Sequence, residues 1–548
     1  MHNKISRSVA LVVMGTGIVS CSPEGKMEQP PNILFIMTDD HTQQALHAYG
    51  HGLLDTVLFP NMDRLAKEGA IFTRSFVTNS ISAPSRAVML TGKHSHLNGQ
   101  IDNGRGRFDW NQQTYPKLLQ KAGYQTALVG KIHIDGVPQG FDYSMTLPGQ
   151  GHYYNPDFIK NGDERIQFEG HSTRLITQFV MDWLEYDRDR NKPFAMLFHT
   201  KAPHRNWMPE TKYLNFLEDH DYDLPHSFFD DYSGRGAAAR EQELEILNHT
   251  YWGLDMKFEE NPLTGERDIR YDRNLDRMTD EQRIAWRNVY DPLNEAFLEN
   301  VPENKYEIIF QSIPRDISHD FLQNTAEGLQ IARFMYNRYL RDYLKTVKSV
   351  DDGIGRVIEY LEKNDLLEKT VIIYTSDQGF YLGEHGWYDK RFMYEQSLST
   401  PLLVRYPSEI EAGTKVYDLV QNLDLAPTIL DYAGVEIPDD MQGKSFRKLA
   451  AGEEVDNWRD AIYYHYYDYP SAHMVKRHYG IRTDRYKLIH FYYDINEWEL
   501  YDLETDPDEM LNVYDSPEYA DIQSIMHEKL KKLKIRYGDS DRIYFPGF

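Results

Sequence analysis

Two pairs of oxygen-bearing residues follow short apolar runs. Asp39-Asp40 closes PNILFIMT, and Asp377-Gln378 follows TVIIYTS. Runs rich in Ile, Val and Phe predict strands, so both pairs sit at strand carboxyl ends. Three carboxylates and an amide carbonyl are hard oxygen donors, suited to Ca²⁺ or Mg²⁺ and not to zinc. A single Asp there would more often be a cap; two pairs at equivalent ends favour a metal. Two further strand ends bring cations and protons. YQTALVG leads to Lys131 and His133 in Gly130-Lys131-Ile132-His133, and PFAMLFHT leads to His204 in Lys201-Ala202-Pro203-His204. Ser82-Ala83-Pro84-Ser85-Arg86 places Ser82 at a helix start, where free N–H groups and the helix dipole favour an anion. Arg86 adds a planar donor fork one turn on. By composition alone the segment is no more than a capped helix start.

The elements that must position these residues alternate. Helical patterns over 60–70, 114–123 and 423–434 each stop at a glycine, and a long helical stretch over 330–364 precedes the TVIIYTS strand. Continuous apolar strands between amphipathic helices predict a mostly parallel α/β sheet covered on both faces. Ligands bind beyond the carboxyl ends of such strands, where the loaded residues lie. Residues 205–329 break the alternation and read as an insertion near the site mouth. From 445 onward, AIYYHYY, HYGIRT and YKLIHFYY, then a charged helix near 518–536, predict a smaller α+β subdomain. The expected division is a catalytic domain over 31–444 and a C-terminal subdomain over 445–548.

Of 548 residues, 41% are hydrophobic and 26% charged, enough for a large core. A net charge of −25 argues against non-specific nucleic-acid binding, which needs a positive surface. Any anionic substrate must therefore meet a local cationic cleft. The lone cysteine, Cys21, excludes an internal disulfide and a Cys-ligated zinc site. It follows Lys4, Arg7 and an apolar run ending Ile18-Val19-Ser20, too short to span a bilayer. A small residue before a lone Cys resembles a bacterial lipobox. That implies a signal peptide over 1–20, a lipid on Cys21 and a linker over 21–30. The expected location is the bacterial periplasm or outer-membrane surface, with membrane attachment only through the lipid anchor.

Taken together, Asp39-Asp40, the eleven residues Ser82–Gly92, Gly130-Lys131-x-His133, Ala202-Pro203-His204 and Ser376-Asp377-Gln378-Gly379 resemble the formylglycine-dependent sulfatases of the alkaline-phosphatase-like superfamily. The likeness covers almost the whole chain from Pro31. It implies that Ser82 is oxidised to formylglycine by a maturase that accepts Ser, where many relatives start from Cys. The hydrated aldehyde would attack sulfur, and its second hydroxyl would let the sulfated enzyme collapse to aldehyde and sulfate. By the same likeness Asp39, Asp40, Ser82, Asp377 and Gln378 hold Ca²⁺, with Mg²⁺ the alternative; Gln378 stands where many relatives have Asn. Arg86, Lys131 and Lys390 would balance charge on the ester oxygens. His204, with Lys131, would protonate the leaving alkoxide, and His133 would handle the diol proton.

Residues 140–158, 230–242 and 473–489 are similar to N-acetylglucosamine-6-sulfatases, especially those of gut bacteria that dismantle glycosaminoglycans. This implies a sulfated glycan as substrate, with 6-O-sulfate removed from glucosamine-type residues of heparan-like chains. His473, Lys476, Arg477, His478 and Arg482 read as a basic patch at the cleft rim, or equally as part of a structural strand pair. His385 and Asp389, flanking Lys390, are further sugar-contact candidates. Three alternatives stand beside this reading: a sulfatase of another position or glycan, a formylglycine phosphonate or phosphodiester hydrolase, and a glycan-binding lipoprotein with a dead site. The intact Ser82, Arg86, Lys131, His204 and Lys390 argue against the last.

Overall fold

The computed structural model describes residues 30–262, 265–300 and 315–540; Cys21, the signal segment and most of the linker lie outside the described residues. Ten strands form one sheet: β1 (Asn32–Thr38), β2 (Ala70–Phe72), β3 (Gln125–Lys131), β4 (Tyr143–Leu147), β5 (Asp157–Lys160), β6 (Glu164–Gln167), β7 (Phe194–His199), β8 (Thr370–Ser376), β9 (Leu402–Arg405) and β10 (Thr414–Val416). Their order is β10-β2-β9-β8-β1-β7-β3-β4-β5-β6. The five central strands, β8-β1-β7-β3-β4, run parallel. Outside them β9 pairs antiparallel with both β8 and β2, and β5 pairs antiparallel with both β4 and β6. The sheet is thus mixed, and the expected parallel order holds in the centre.

Strand β1 shows why its sequence is apolar throughout. Leu34 and Ile36 face one core while Ile33, Phe35 and Met37 face another, so helices cover both sides. On the first side lies a 38-residue helix, α1 (Ala326–Lys363), opened by Thr325, whose side chain accepts the Gly328 N–H. Residues Leu340, Val347 and Ile354 recur along it at helical spacing and are buried in that core. In the segment before it a helix spans Asp280–Asn300, and Arg338 of α1 donates to the Met256 carbonyl at 2.7 Å.

The C-terminal part carries a four-stranded antiparallel sheet over Ala461–Tyr466, His478–Thr483, Tyr486–Phe491 and Glu497–Asp502, in sequential order. Alternation splits it as well. Ile462, Tyr464 and Tyr466 pack toward Trp387 and Tyr394 of the larger unit, while Tyr463, Ile481 and Leu488 pack against Met526 and Leu530 of the Ala520–Tyr537 helix. No helix among the described residues is long and apolar enough to cross a membrane.

A buried ion pair ties the two sheets' surroundings together. Arg459 forks onto both carboxylate oxygens of Asp424, one at 2.6 Å, and Asp424 also accepts the Gln421 and Lys444 N–H groups. Removing the guanidinium leaves a buried carboxylate without its cation. Arg459→Leu is expected to lower unfolding free energy by about 3–5 kcal/mol, read from the urea midpoint; a loss below about 1 kcal/mol, the surface-pair range, would contradict the assignment.

Candidate active site

Strands β1 and β8 are neighbours, so their carboxyl ends deliver Asp39, Asp40, Asp377 and Gln378 to one place, all fully buried. The Asp40 N–H donates to Asp377 Oδ1 at 3.1 Å. Ser82 opens the helix Ser82–Thr91 and donates through Oγ to Asp39 Oδ1 at 3.1 Å. One turn later Arg86 reaches back. Its Nε donates to Asp377 Oδ2 at 2.9 Å and one terminal nitrogen donates to the Lys131 carbonyl at 2.6 Å. The other terminal nitrogen is buried with no hydrogen-bond partner, 3.8 Å from Asp39 Oδ1. Lys131, at the end of β3, bonds Asp39 and Gln150; Lys390 bonds Asp40 Oδ2 at 2.7 Å. His204 directs Nε2 toward Asp40 Oδ2 at 3.9 Å. Its Nδ1 meets the Arg205 carbonyl at 2.5 Å; a carbonyl only accepts, so Nδ1 carries the hydrogen.

The electrostatics follow from burial. Desolvation pushes Asp40 up to about 6 and Asp377 up to about 7, with the neighbouring Asp39 charge adding to both. Burial acts on Asp39 too, but Lys131, His204, Arg86 and Lys390 overcome it and hold that carboxyl well below its usual range. Burial and Lys131 hold the His204 imidazole well below its usual range.

The donor set fits a hard divalent cation. Gln378 turns its amide nitrogen to Asp40 and leaves Oε1 buried with no hydrogen-bond partner, an orphaned acceptor among carboxylates. Asp39, Asp40 and His204 offer ligand atoms within 4.8 Å of one another. A cation here would satisfy the orphan oxygen and relieve the crowding of like charges.

Two cavities adjoin this cluster. One of about 620 Å³ is lined by Arg205, Tyr388, His249 and His473, with Glu243 and Glu245 on its wall. His473 Nε2 lies 3.5 Å from Asp389 Oδ2, and Asp389 stands beside Lys390, whose Nζ is 3.7 Å away. The second, about 390 Å³, is lined by Asn103, Arg105, His133 and Gln150. His133 thus lies at the Lys131 side of the cluster, with Nδ1 buried and unpartnered.

Other expected contacts lie elsewhere. His385 is fully buried, with Nδ1 3.0 Å from Asp230 Oδ2 and its ring 5.2 Å from Trp387; it belongs to the aromatic core. Arg477 donates to the Tyr469 carbonyl at 3.0 Å and lies over Tyr493, lining neither cavity. The expected basic patch dissolves. Arg482 pairs with Glu395 at 3.1 Å, Lys476 with Asp494 at 2.6 Å, and His478 is buried against Tyr464. The His478–Thr483 strand is covered on both faces, so its charges must be paired. Of the patch, His473 alone lines either of these two cavities. Three residues with no role assigned from sequence join the cluster: Gln150, Asn103, which accepts the Ala83 N–H at 3.1 Å, and Lys201. Lys201 is buried 4.7 Å over the Tyr153 ring, and desolvation with Lys131 nearby pulls it down to about 7. Its place at the end of β7 was a usable signal; Gln150 and Asn103 lie in loops that carry none.

Comparison with known proteins fits this geometry. The sulfatase family model matches residues 31–435, and a model described as N-sulphoglucosamine sulphohydrolase, C-terminal, matches 383–536. The chain belongs to the sulfatase family. It is 44% identical over 543 residues to an N-acetylglucosamine-6-O-sulfatase of Bacteroides thetaiotaomicron, spanning 97% of this chain and 92% of that protein. An N-acetylglucosamine-6-sulfatase of Capra hircus is 26% identical over 476 residues, spanning 82% of this chain and 69% of that one. A solved structure of a protein in complex with its substrate D-glucosamine-2-N,6-O-disulfate superposes with TM-score 0.84 at 44% identity, covering 94% of this chain and all of that one.

A cation that binds only the folded chain stabilises it, by about 2.7 kcal/mol at a hundredfold excess over its Kd. Chelator is expected to lower the melting temperature and Ca²⁺ to restore it, with the response weakened in Gln378→Leu. Melting that is indifferent to both would contradict the cation site.

Proposed function

We propose that this sulfatase removes 6-O-sulfate from N-acetylglucosamine or glucosamine residues of heparan-type glycans. The observation that carries this reading is the 44% identity, over 97% of the chain, to an N-acetylglucosamine-6-O-sulfatase. The Asp389–His473 pair at the cavity joined to the charged cluster supports it. Asp39, Asp40, Asp377 and Gln378, with residue 82, would hold Ca²⁺, with Mg²⁺ the alternative; the ion would polarise the ester oxygens as a Lewis acid. Formylglycine made from Ser82 by a maturase that accepts Ser would supply a nucleophile renewed at each turnover.

The remaining work falls to the chain's own groups. Asp39 Oδ1, already the acceptor for the residue 82 side chain, orients it and draws on its proton. Arg86 aims its unpartnered terminal nitrogen at the charge that the ester brings. Lys131 and Lys390, buried on either carboxylate of the Asp39-Asp40 pair, turn toward the sulfate oxygens. With Nδ1 committed to the Arg205 carbonyl, His204 delivers a proton through Nε2 to the leaving O6, and the anionic ester beside it favours the protonated ring. His133, at the second cavity, takes the proton on the residue 82 side. Asp389 and His473 receive sugar hydroxyls. The reading includes export and a lipid on Cys21, supported by the basic and apolar residues before it.

The test is sulfate release from defined sulfated monosaccharides by protein made with a Ser-type maturase. We expect release from 6-sulfated N-acetylglucosamine, its loss in Ser82→Ala, and a fall in kcat of about 10²–10⁴-fold in His204→Ala. Asp389→Ala should raise KM for the sugar more than it changes turnover of an unspecific aryl sulfate. Faster hydrolysis of a phosphodiester, or preference for another sulfate position despite mass-verified formylglycine, would contradict the assignment.

A further inference from the structure

The inserted segment reaches the catalytic cluster most directly through the residues that follow His204. The His204 ring takes its direction from the Arg205 carbonyl, the acceptor for its Nδ1 hydrogen. The two residues that flank that carbonyl bond are each held. The Arg205 guanidinium lies between the rings of Tyr251 and Tyr388, at 5.0 and 4.9 Å, and forks onto Asp255, with Nε to Oδ1 at 2.9 Å. Asp255 is fully buried and also accepts the Tyr251 N–H at 2.8 Å. On the other side Lys257, fully buried, donates to the carbonyls of Asn206 and Leu254, both at 2.7 Å.

Lys257 is an unusual choice for a fastening. Among the described residues no carboxylate lies within ion-pair distance of its ammonium group, which sits 5.9 Å over the Trp286 ring and spends its hydrogen bonds on backbone carbonyls. Its backbone takes φ 66°, the left-handed region that side chains disfavour. Burial lowers the group to about 8. A chain that needed only packing here would place an apolar residue more stably. The turn is also anchored: Asn294 donates to the Lys257 carbonyl at 2.7 Å, and Arg338 of α1 bonds both Asn294 and the Met256 carbonyl. The clamp is therefore continuous with the longest helix of the fold.

We propose that Asp255 and Lys257 are positioning residues that fix the Arg205–Asn206 backbone, and through it the His204 imidazole, for proton delivery to the leaving alkoxide. This rests on His204 as the proton donor: its Nε2 proton passes to O6 as the S–O6 bond breaks, and the electron pair of that bond stays on oxygen. A displaced ring would spare a leaving group that needs no proton. The clamp thus acts on alkyl sulfates and not on aryl sulfates.

The experiment uses the full, formylglycine-bearing enzyme with 6-sulfated N-acetylglucosamine and 4-nitrophenyl sulfate. Lys257→Met is expected to lower kcat on the sugar about 10–100-fold, the range for a misplaced catalytic group, with KM within about threefold. Turnover of the aryl sulfate should stay within about threefold, and Lys257→Arg, which keeps a cationic donor, should recover most of the sugar activity. Asp255→Asn keeps the side chain's shape and should show the same split, which covers the case of a poorly folded Lys257→Met. Equal losses on both substrates, a loss confined to KM, or no loss would overturn the clamp. His204→Ala serves as the reference: a split there without one in the clamp variants defeats the clamp alone, whereas equal losses in His204→Ala defeat the proton-donor reading and the clamp with it.

Discussion

Three carboxylates share one water-poor pocket, and the fold around them is arranged to make that tolerable. An unpaired buried charge costs several kcal/mol, and like charges side by side cost more. Here each carboxylate has a buried cation within reach: Lys131 at Asp39, Lys390 at Asp40 and Arg86 at Asp377. Those cations come from a strand end, a loop after the last central strand and a helix start. None of these elements can drift without exposing a charge. The same cations that balance these carboxylates are the ones an anionic ester needs, so the arrangement that stabilises the site also preorganises it.

The central parallel strands explain why convergence is possible. Strands β1 and β8 run side by side with Thr38 opposite Ser376, so the acidic residues that follow them emerge at the same level. β7 and β3 lie next in the sheet, and their ends bring Lys201 and Lys131 to the same edge. Antiparallel pairings flank this parallel centre on both sides. A topological switch at such a sheet is where an open α/β fold admits ligands.

How much of this was legible depended on whether the signal was local. An apolar run that ends in Asp-Asp or Asp-Gln shows both strand and placement, so Asp39, Asp40, Asp377 and Gln378 could be set together from sequence. His385 and Asp389 are four residues apart and equally polar, yet one is sealed among Trp387 and Tyr394 and the other stands beside Lys390; only tertiary packing separates them. The basic run 473–482 misled because alternation shows which residues share a face, not whether a second layer covers it. Arg482 and Lys476 are consumed by Glu395 and Asp494, 87 and 18 residues away in the chain. The segment over 205–329 was the least legible. Its contribution comes through Asp255 and Lys257 gripping a peptide about fifty residues earlier, and a contact of that kind leaves no periodicity in the chain.

The central claim is that the ester is held by Arg86, Lys131 and Lys390 with its O6 facing His204. The most direct measurement is a crystal structure of the Ser82→Ala variant with Ca²⁺ and 6-sulfated N-acetylglucosamine. The account predicts sulfate oxygens within hydrogen-bond reach of those three cations, O6 toward His204 Nε2, and sugar hydroxyls on Asp389 and His473. A sulfate group seated away from the three cations, or a sugar lodged in the cavity of Asn103 and Arg105, would contradict it.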